Sequence, residues 1–535
     1  MHKKVRWLTL LLCSTLLFAG CGATETQNSS VSQPIMQPIT TQEPTSGPVV
    51  TDTPESLNPA TPTTTEAPQL PDAEATAQAP ILLFSTEERD WFMEDGSTLL
   101  MVATDFTVDI EQEGYELLEA SIDRLHPGIS EDNYALMIRD AEDYYLSLEE
   151  DSRQYFWGYS STCTAGLTRS DTSIVSLRIF SSDYSGGAHG MYAYYGETFD
   201  VKTGNLLALD DVLADAVGFY PEAAKYITNE LVSTYGDGLF EGYEQSVADT
   251  LSPGQTQCWY LTGNGIVIVF NPYEVGPYAM GVAEITLPYT EFGSYLKEEY
   301  LPIEGEIIAY LSPNQDYAPL LKEDGPLMVK MTPNEWDMWD IHMVAGEISS
   351  ELGAFDSLRN GYVIKRTDGK NYFVIVCDYM SDDYVTFVYE VKDGALKKCA
   401  ELGAVYPSGG YISATELEMN IRIDILGTYI ATVHYVLGED GQLLPKDAFC
   451  PIHATQPLHI IRELPVTMDG VKTTLSSGTD ILVTGTNQID EVHFKVVGSD
   501  RTGFITYTRE EPETWIPMID GLSESEYFEG LPYAG

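Results

Sequence analysis

Asp-Gly pairs punctuate this chain between runs that alternate apolar and polar residues, at Asp95-Gly96, Asp368-Gly369, Asp393-Gly394 and Asp440-Gly441. Both residues accept the positive φ of tight hairpin turns, and period-two runs on either side build antiparallel strands. Around the last three pairs, Tyr362 to Arg366, Tyr372 to Cys377, Val385 to Val391, Ile421 to Leu426 and Tyr429 to Leu437 read as a meander. Loops such as Ser381-Asp382-Asp383 separate them. A chain patterned this way is committed to sheet over much of its length. At 535 residues it also exceeds what one core supports, so several domains are expected.

The N-terminus has a different character. His2-Lys3-Lys4-Val5-Arg6 precedes an apolar run from Trp7 to Phe18, which is too short to span a bilayer. It ends in Leu17-Phe18-Ala19-Gly20-Cys21, which resembles a bacterial lipobox. That resemblance implies a signal peptide over residues 1–20 and diacylglycerol on Cys21, with attachment to the extracytoplasmic face of the cell membrane. From Gly22 to Pro80 the chain is rich in Thr, Pro, Ser, Gln and Glu, without Lys or Arg. It lacks a hydrophobic period, so residues 21–80 are expected to be a disordered tether. Over the whole chain, 82 acidic residues against 28 basic ones leave a formal charge of -54, which disfavours nucleic acid and other polyanions as partners. Past the leader, Cys163, Cys258, Cys377, Cys399 and Cys450 are widely spaced and include no C-x-x-C pair. Buried free thiols are expected, with Cys377 and Cys399 the nearest candidates for a single disulfide.

The stretch from Asp183 to Leu213 organises the first folded region. Ser185-Gly186-Gly187-Ala188-His189-Gly190 leads into an aromatic strand from Met191 to Phe199. A turn at Lys202-Thr203-Gly204-Asn205 and an acidic step at Leu209-Asp210-Asp211 follow. Adjacent glycines before a strand indicate positive φ or close backbone approach. Ahead of them, a helix is expected after Ser130, with Tyr134, Leu136, Ile138, Ala141, Tyr144 and Leu148 on one face. Behind them, Pro221 suits the first position of another helix.

Arg169-Ser170-Asp171, Ser176, Gly186-Gly187-Ala188-His189, Phe199-Asp200, Thr203-Gly204, Leu209-Asp210-Asp211 and Asn271 to Tyr278 occur in order. Over about residues 85–298 this resembles the extracytoplasmic domain shared by RsiV-like anti-sigma factors and the N-terminal region of PdaC-type peptidoglycan deacetylases. The resemblance implies an RsiV/PdaC-like α+β domain, placed at 81–298, that meets wall glycans or wall-directed proteins. Deacetylation of the PdaC type needs a His-x-x-x-His metal site, and no two histidines here stand at that spacing.

Residues 299–330 are punctuated by Pro and Gly and read as a linker. Thr332-Pro333-Asn334-Glu335 reads as a capping box before a helix carrying Trp336, Trp339, Ile341, Met343 and Val344. With the meander this predicts an antiparallel β domain with one helix over 331–456. The spacing of Leu475, Ile481, Val483, Val492, Phe494, Val496 and Phe504 is similar to bacterial SH3-like barrels, so 457–535 is expected to be a small SH3-like β-barrel. The expected fold is therefore α+β and multidomain.

Three functional readings follow. The first is a non-catalytic surface lipoprotein that binds a wall glycan (peptidoglycan) or a cationic protein such as lysozyme. Its candidate binding residues are Gly186, Gly187, His189, Tyr192, Tyr194, Tyr195, Tyr273 and Tyr278, because aromatic faces stack on sugars and anchor interfaces. The second is a structural or assembly scaffold of the envelope. The third is a wall-modifying enzyme, with His189 and Asp183 or Asp200 as an acid/base pair. The chain carries no G-x-S-x-G or H-E-x-x-H pattern, and no catalytic residue, cofactor or metal is assigned.

Overall fold

The computed structural model describes residues 78–533 apart from 111, 127, 303–304, 360, 380–382 and 510–516. The leader, Cys21 and nearly all of the expected tether lie outside the described residues, as do Ser381 and Asp382.

Leu83–Phe92 (β1) and Thr98–Asp109 (β2) form a hairpin about Gly96, whose φ is 91°. Helices Glu116–Leu125 (α1), Glu131–Ser147 (α2) and Glu150–Arg153 (α3) follow. Ser130 caps α2 by accepting the Asn133 N–H at 3.2 Å. The α2 face that packs inward carries Tyr134, Met137, Ile138, Ala141 and Tyr145. Leu136 and Tyr144, expected on that face, are exposed, one position off the buried stripe.

Tyr159–Ser170 (β3), Ile174–Tyr184 (β4) and Met191–Asp200 (β5) form an antiparallel set, with Thr164 opposite Phe180 and Phe180 opposite Tyr194. Leu209–Val212 (α4), Ala216–Tyr235 (α5) and Tyr243–Thr250 (α6) come next. They pack on a sheet of Trp259–Leu261 (β6), Gly265–Phe270 (β7) and Ala283–Pro288 (β8), around Phe219, Ile227, Trp259 and Ile268. Pro221, expected to open a helix, lies inside α5. Asp215 sets the earlier start by accepting the Gly218 N–H at 3.0 Å.

Ile307–Tyr310 (β9) pairs with β3 on one side, so residues 299–330, expected as a linker, carry a strand of the main sheet. Leu327–Pro333 (β10), Trp339–Ala345 (β11) and Ile348–Phe355 (β12) then form a three-stranded sheet. This corrects the helix expected after Asn334. The Asn334 side chain accepts the Trp336 N–H at 2.9 Å and the Met338 N–H at 3.2 Å, which closes a hairpin turn. Ile341, Met343 and Ala345 then alternate inward at period two.

Ser357–Leu358 (β13), Tyr362–Lys365 (β14), Asn371–Tyr379 (β15), Asp383–Lys392 (β16) and Ala395–Gly403 (β17) continue the meander. Asp393 and Gly394, at φ 49° and 71°, make the tight β16–β17 turn. Val405–Ile412 (β18), Glu416–Asp424 (β19), Thr428–Leu437 (β20) and Leu443–Pro445 (β21) complete the main sheet. Its order is β17-β16-β15-β14-β9-β3-β2-β1-β18-β19-β20-β21. The expected 331–456 meander is thus divided. β14 to β17 join through β9, while β18 to β21 join at the opposite flank through β1, where Leu83 pairs with Tyr411.

The C-terminal part folds as a barrel-like sheet of Cys450–Pro451 (β22), Leu458–Ile460 (β23), Leu464–Met468 (β24), Val471–Leu475 (β25), Asp480–Thr486 (β26), Glu491–Val496 (β27) and Thr502–Thr506 (β28), with Phe528–Glu529 on β23. Leu464, Val466, Ile481, Val483, Phe494 and Ile505 face inward and join the core under the main sheet. The fold is therefore richer in strand than expected, with several sheets and one barrel-like unit. All five described cysteines are free. Cys377 lies opposite Val385 on β16 and Val385 opposite Gly403 on β17, so Cys399 is two strands over and four residues along, more than about 10 Å away and beyond disulfide reach. Among the described residues no helix is long and apolar enough to cross a membrane.

Candidate aromatic binding site

Strands β3, β4 and β5 run between two differently built ends. At the β3–β4 turn, Arg169 is fully buried. Its Nε donates to Asp171 Oδ2 at 2.7 Å, and its Nη1 donates to the Tyr289 hydroxyl at 3.0 Å and the Tyr300 carbonyl at 2.9 Å. Asp171 Oδ1 accepts the Ser173 and Ile174 N–H groups at 2.8 and 2.9 Å. Burial, the largest single influence, lowers the Arg169 pKa, but the Asp171 charge, Tyr289 and the hydrogen bonds to both together outweigh it, so the group is held above its usual value. Nearby, Ser176 Oγ bonds Thr198 at 2.8 Å and accepts the Leu261 N–H at 2.9 Å. Every one of these polar groups serves the core.

At the other end the β4–β5 loop carries the double glycine. Gly186 and Gly187 have φ of 90° and 92°, where a side chain is strained, which explains the pair. The Tyr184 hydroxyl donates to the Gly187 carbonyl at 3.2 Å. His189 is exposed, and its Nδ1 lies 2.9 Å from the Gly190 carbonyl. A carbonyl only accepts, so Nδ1 carries the proton and Nε2 is left as an acceptor in the neutral ring. Neither Asp183 nor Asp200 is bonded to this imidazole: Asp200 Oδ1 is engaged by Lys202 N, Thr203 N and Thr203 Oγ1 in the turn that follows β5.

A second loop, 271–281, completes the site. Asn271 Oδ1 accepts the Tyr194 N–H at 2.8 Å, docking the loop on the open edge of β5. The Tyr278 hydroxyl donates to the Gly190 carbonyl at 3.1 Å, joining the two loops. The His189 ring then lies on Tyr278, with centroids 4.3 Å apart and planes at 25°. Tyr192 meets Tyr278 edge-on at 5.4 Å, and Tyr273 lies 5.8 Å from it. Tyr273 is 50% exposed and has a φ of 74°, a left-handed backbone that costs a non-glycine residue about 1 kcal/mol or more. Burial, and after it the neighbouring Tyr278, raises the Tyr192 phenol above its usual pKa.

Along the same face, Phe180 contacts Tyr192 and Tyr194 at 6.2 and 5.1 Å. The Arg178 guanidinium lies 3.7 Å from the Tyr194 ring centroid and bonds Glu284 through two contacts of 2.7 Å. The Tyr260 hydroxyl also donates to Glu284, at 2.9 Å. Burial pulls the Arg178 pKa down, but the Glu284 hydrogen bonds and charge overcome it, leaving the pKa well above usual.

The structure therefore brings His189, Tyr192, Tyr273 and Tyr278 into one ring cluster, with Gly186 and Gly187 in the loop beside it and Tyr194 further along the face. It does not bring Tyr195 there. Successive strand residues point to opposite faces, and the Tyr195 hydroxyl lies 3.9 Å from Cys163 Sγ against the main core. Sequence reasoning missed Arg178 and Glu284, whose pairing spans 106 residues, and also the exposed Trp157 and Tyr155. These two are 82% and 72% exposed in the connection before β3, at the same end of the sheet as the β4–β5 loop. The break in alternation around Gly158 was the available signal for them. Among the described residues, no three His, Cys, Asp or Glu side chains are grouped to hold a metal ion.

Two of the four clustered rings, Tyr273 and Tyr278, fall within residues 210–290, which match the family described as protein of unknown function DUF3298. Among solved structures, the chain is similar to a DUF3298-family member from Bacteroides fragilis, at 17% identity and a TM-score of 0.29, covering 42% of this chain and 96% of that one. It is also similar to a DUF3298-family protein from Pseudomonas aeruginosa, at 19% identity and a TM-score of 0.28, covering 41% and 96%. No curated protein matches the chain. Residues 210–290 are a DUF3298 domain, and the ring cluster is built where that domain meets the β4–β5 loop.

Proposed function

We propose that this protein is a membrane-tethered lipoprotein of the cell envelope with a non-catalytic binding role. Its ligand is a wall glycan or a cationic wall-directed protein, engaged on the aromatic cluster between the β4–β5 loop and the 271–281 loop. The observation that carries this reading is Tyr273, half exposed on a strained backbone and set against the His189–Tyr278 stack. Strain of this kind persists where the surrounding structure over-determines it, typically at ligand sites. The lipobox-like Leu17 to Cys21 supports the anchor. The ordered resemblance to the RsiV/PdaC-like extracytoplasmic domain and the SH3-like pattern of the C-terminal unit support a place at the wall. The charge of -54 favours cationic partners over polyanions.

The test is co-sedimentation of the full-length protein with purified peptidoglycan, alongside pull-down of lysozyme at low and high salt. Retention by either ligand, lost on replacing Tyr273 and Tyr278 by Ala, is the expected result. Absence of retention by both at low salt would remove the binding role and leave the scaffold reading.

A further inference from the structure

We infer that the His189–Tyr278–Tyr192–Tyr273 cluster is a stacking site for an uncharged glycan, a pyranose chain with equatorial linkages whose sugars present flat C–H faces. This rests on the binding role above and selects one of its two ligand classes.

Three observations favour the sugar. The first is the size of the surface. Tyr273 is half exposed and Tyr192 and Tyr278 less so. With about 150–250 Å² in a whole aromatic side chain, four partly covered rings offer on the order of a few hundred Å². A stable protein interface takes about 800 Å² from each partner, so the cluster suits one or two sugar rings better than a folded protein.

The second is charge. Arg178, the cation packed along this face, is neutralised by two 2.7 Å bonds to Glu284 and covered on one side by Tyr194. It has no unmatched charge to offer a phosphate or carboxylate, and the net charge of -54 repels polyanions at longer range. A neutral ligand meets neither obstacle.

The third is the mixture of face and edge. The imidazole of His189 lies nearly flat on Tyr278 and is exposed. Its Nδ1–H is used by the Gly190 carbonyl, so Nε2 remains to accept a hydroxyl proton at the edge of the stacking face. Gly187, two residues before His189, has open space where a side chain would project. An apolar face bordered by an acceptor matches a pyranose, which has an apolar face and a rim of hydroxyls.

The experiment is calorimetric titration of the full-length protein with chitohexaose, an uncharged hexasaccharide, at low and high salt. A glycerol-phosphate polymer and lysozyme are titrated in parallel. The expected result is saturable chitohexaose binding that does not change with salt, weakened about tenfold in His189→Ala and in Tyr273→Ala, variants at exposed positions. Trp336→Ala, which removes a 74% exposed indole from the β10–β11 hairpin, should bind as the parent does. Equal binding by the parent and both site variants would overturn the assignment of the site. Lysozyme binding without chitohexaose binding would overturn the ligand class while leaving the binding role standing. Tighter binding of the glycerol-phosphate polymer would overturn the charge argument and the inference with it. Silence toward all three would overturn the inference, and only with no retention on peptidoglycan as well would it remove the binding role.

Discussion

Strands β3 to β5 pass from an end where a buried arginine and carboxylate are paired inside the protein to an end where aromatic rings are left partly uncovered. At Arg169 the guanidinium is enclosed by Asp171, Tyr289 and the Tyr300 carbonyl, and Ser176 ties β4 to β5 and β6. At His189 the rings rest on one another with solvent beyond them. Both ends carry distinctive residues, and a sequence alone makes them look alike. The difference is what each set of side chains is matched to: the first set is satisfied by the protein, and the second is only partly satisfied. Distinctive residues of the first kind maintain a fold, and those of the second kind are candidates to act.

That contrast breaks most visibly at Arg169. Arg169→Ala leaves Asp171 buried without its partner, and unfolding in urea should show a loss of about 3–5 kcal/mol. If the loss is under about 1 kcal/mol, the enclosed end is not a structural anchor. Next is Gly196, in the middle of β5, where an added Cβ would sit 2.0 Å from the Trp259 carbonyl. Gly196→Ala must push β5 from β6, and a destabilisation of about 1–3 kcal/mol is expected in the same assay. Arg178 lies between the two ends. Arg178→Lys keeps the charge but not the bidentate contact or the flat stacking on Tyr194, with an expected loss of about 1 kcal/mol by thermal unfolding. The smallest effect belongs to His189→Ala, which should stay within about 0.5 kcal/mol of the parent. A larger loss there would make the exposed end a structural element too and dissolve the distinction.

Several of these features are local enough to read directly. The Asp-Gly turns are of this kind, since Asp393 and Gly394 need a positive φ whatever packs around them. The Ser130 cap and the β5 strand are also local. Other features were readable but were overridden. Trp339, Ile341, Met343 and Ala345 alternate at period two, yet Thr332-Pro333-Asn334-Glu335 has the pattern of a helix cap, and in the structure Asn334 closes a hairpin instead. The same period places Tyr195 opposite Tyr192 and Tyr194, so its position was derivable from strand geometry alone.

The sequence by itself determined the Asp-Gly turns, the extended stretches of the meander after Gly361, that the charge is strongly negative, and that residues 183–213 hold an unusual loop. These depend on φ preferences and on contacts a few residues apart. Only the tertiary structure decided that a presumed linker supplies β9, that the meander divides between two flanks of one sheet, and that loop 271–281 lays Tyr278 beneath His189. It also decided that Arg169 meets groups 120 and 131 residues away. Such contacts are set by which registers bury all the apolar faces together, and no local pattern encodes that choice. The rings of the candidate site are therefore visible as residues in the sequence, but they become a surface only when two distant loops close on the edge of β5.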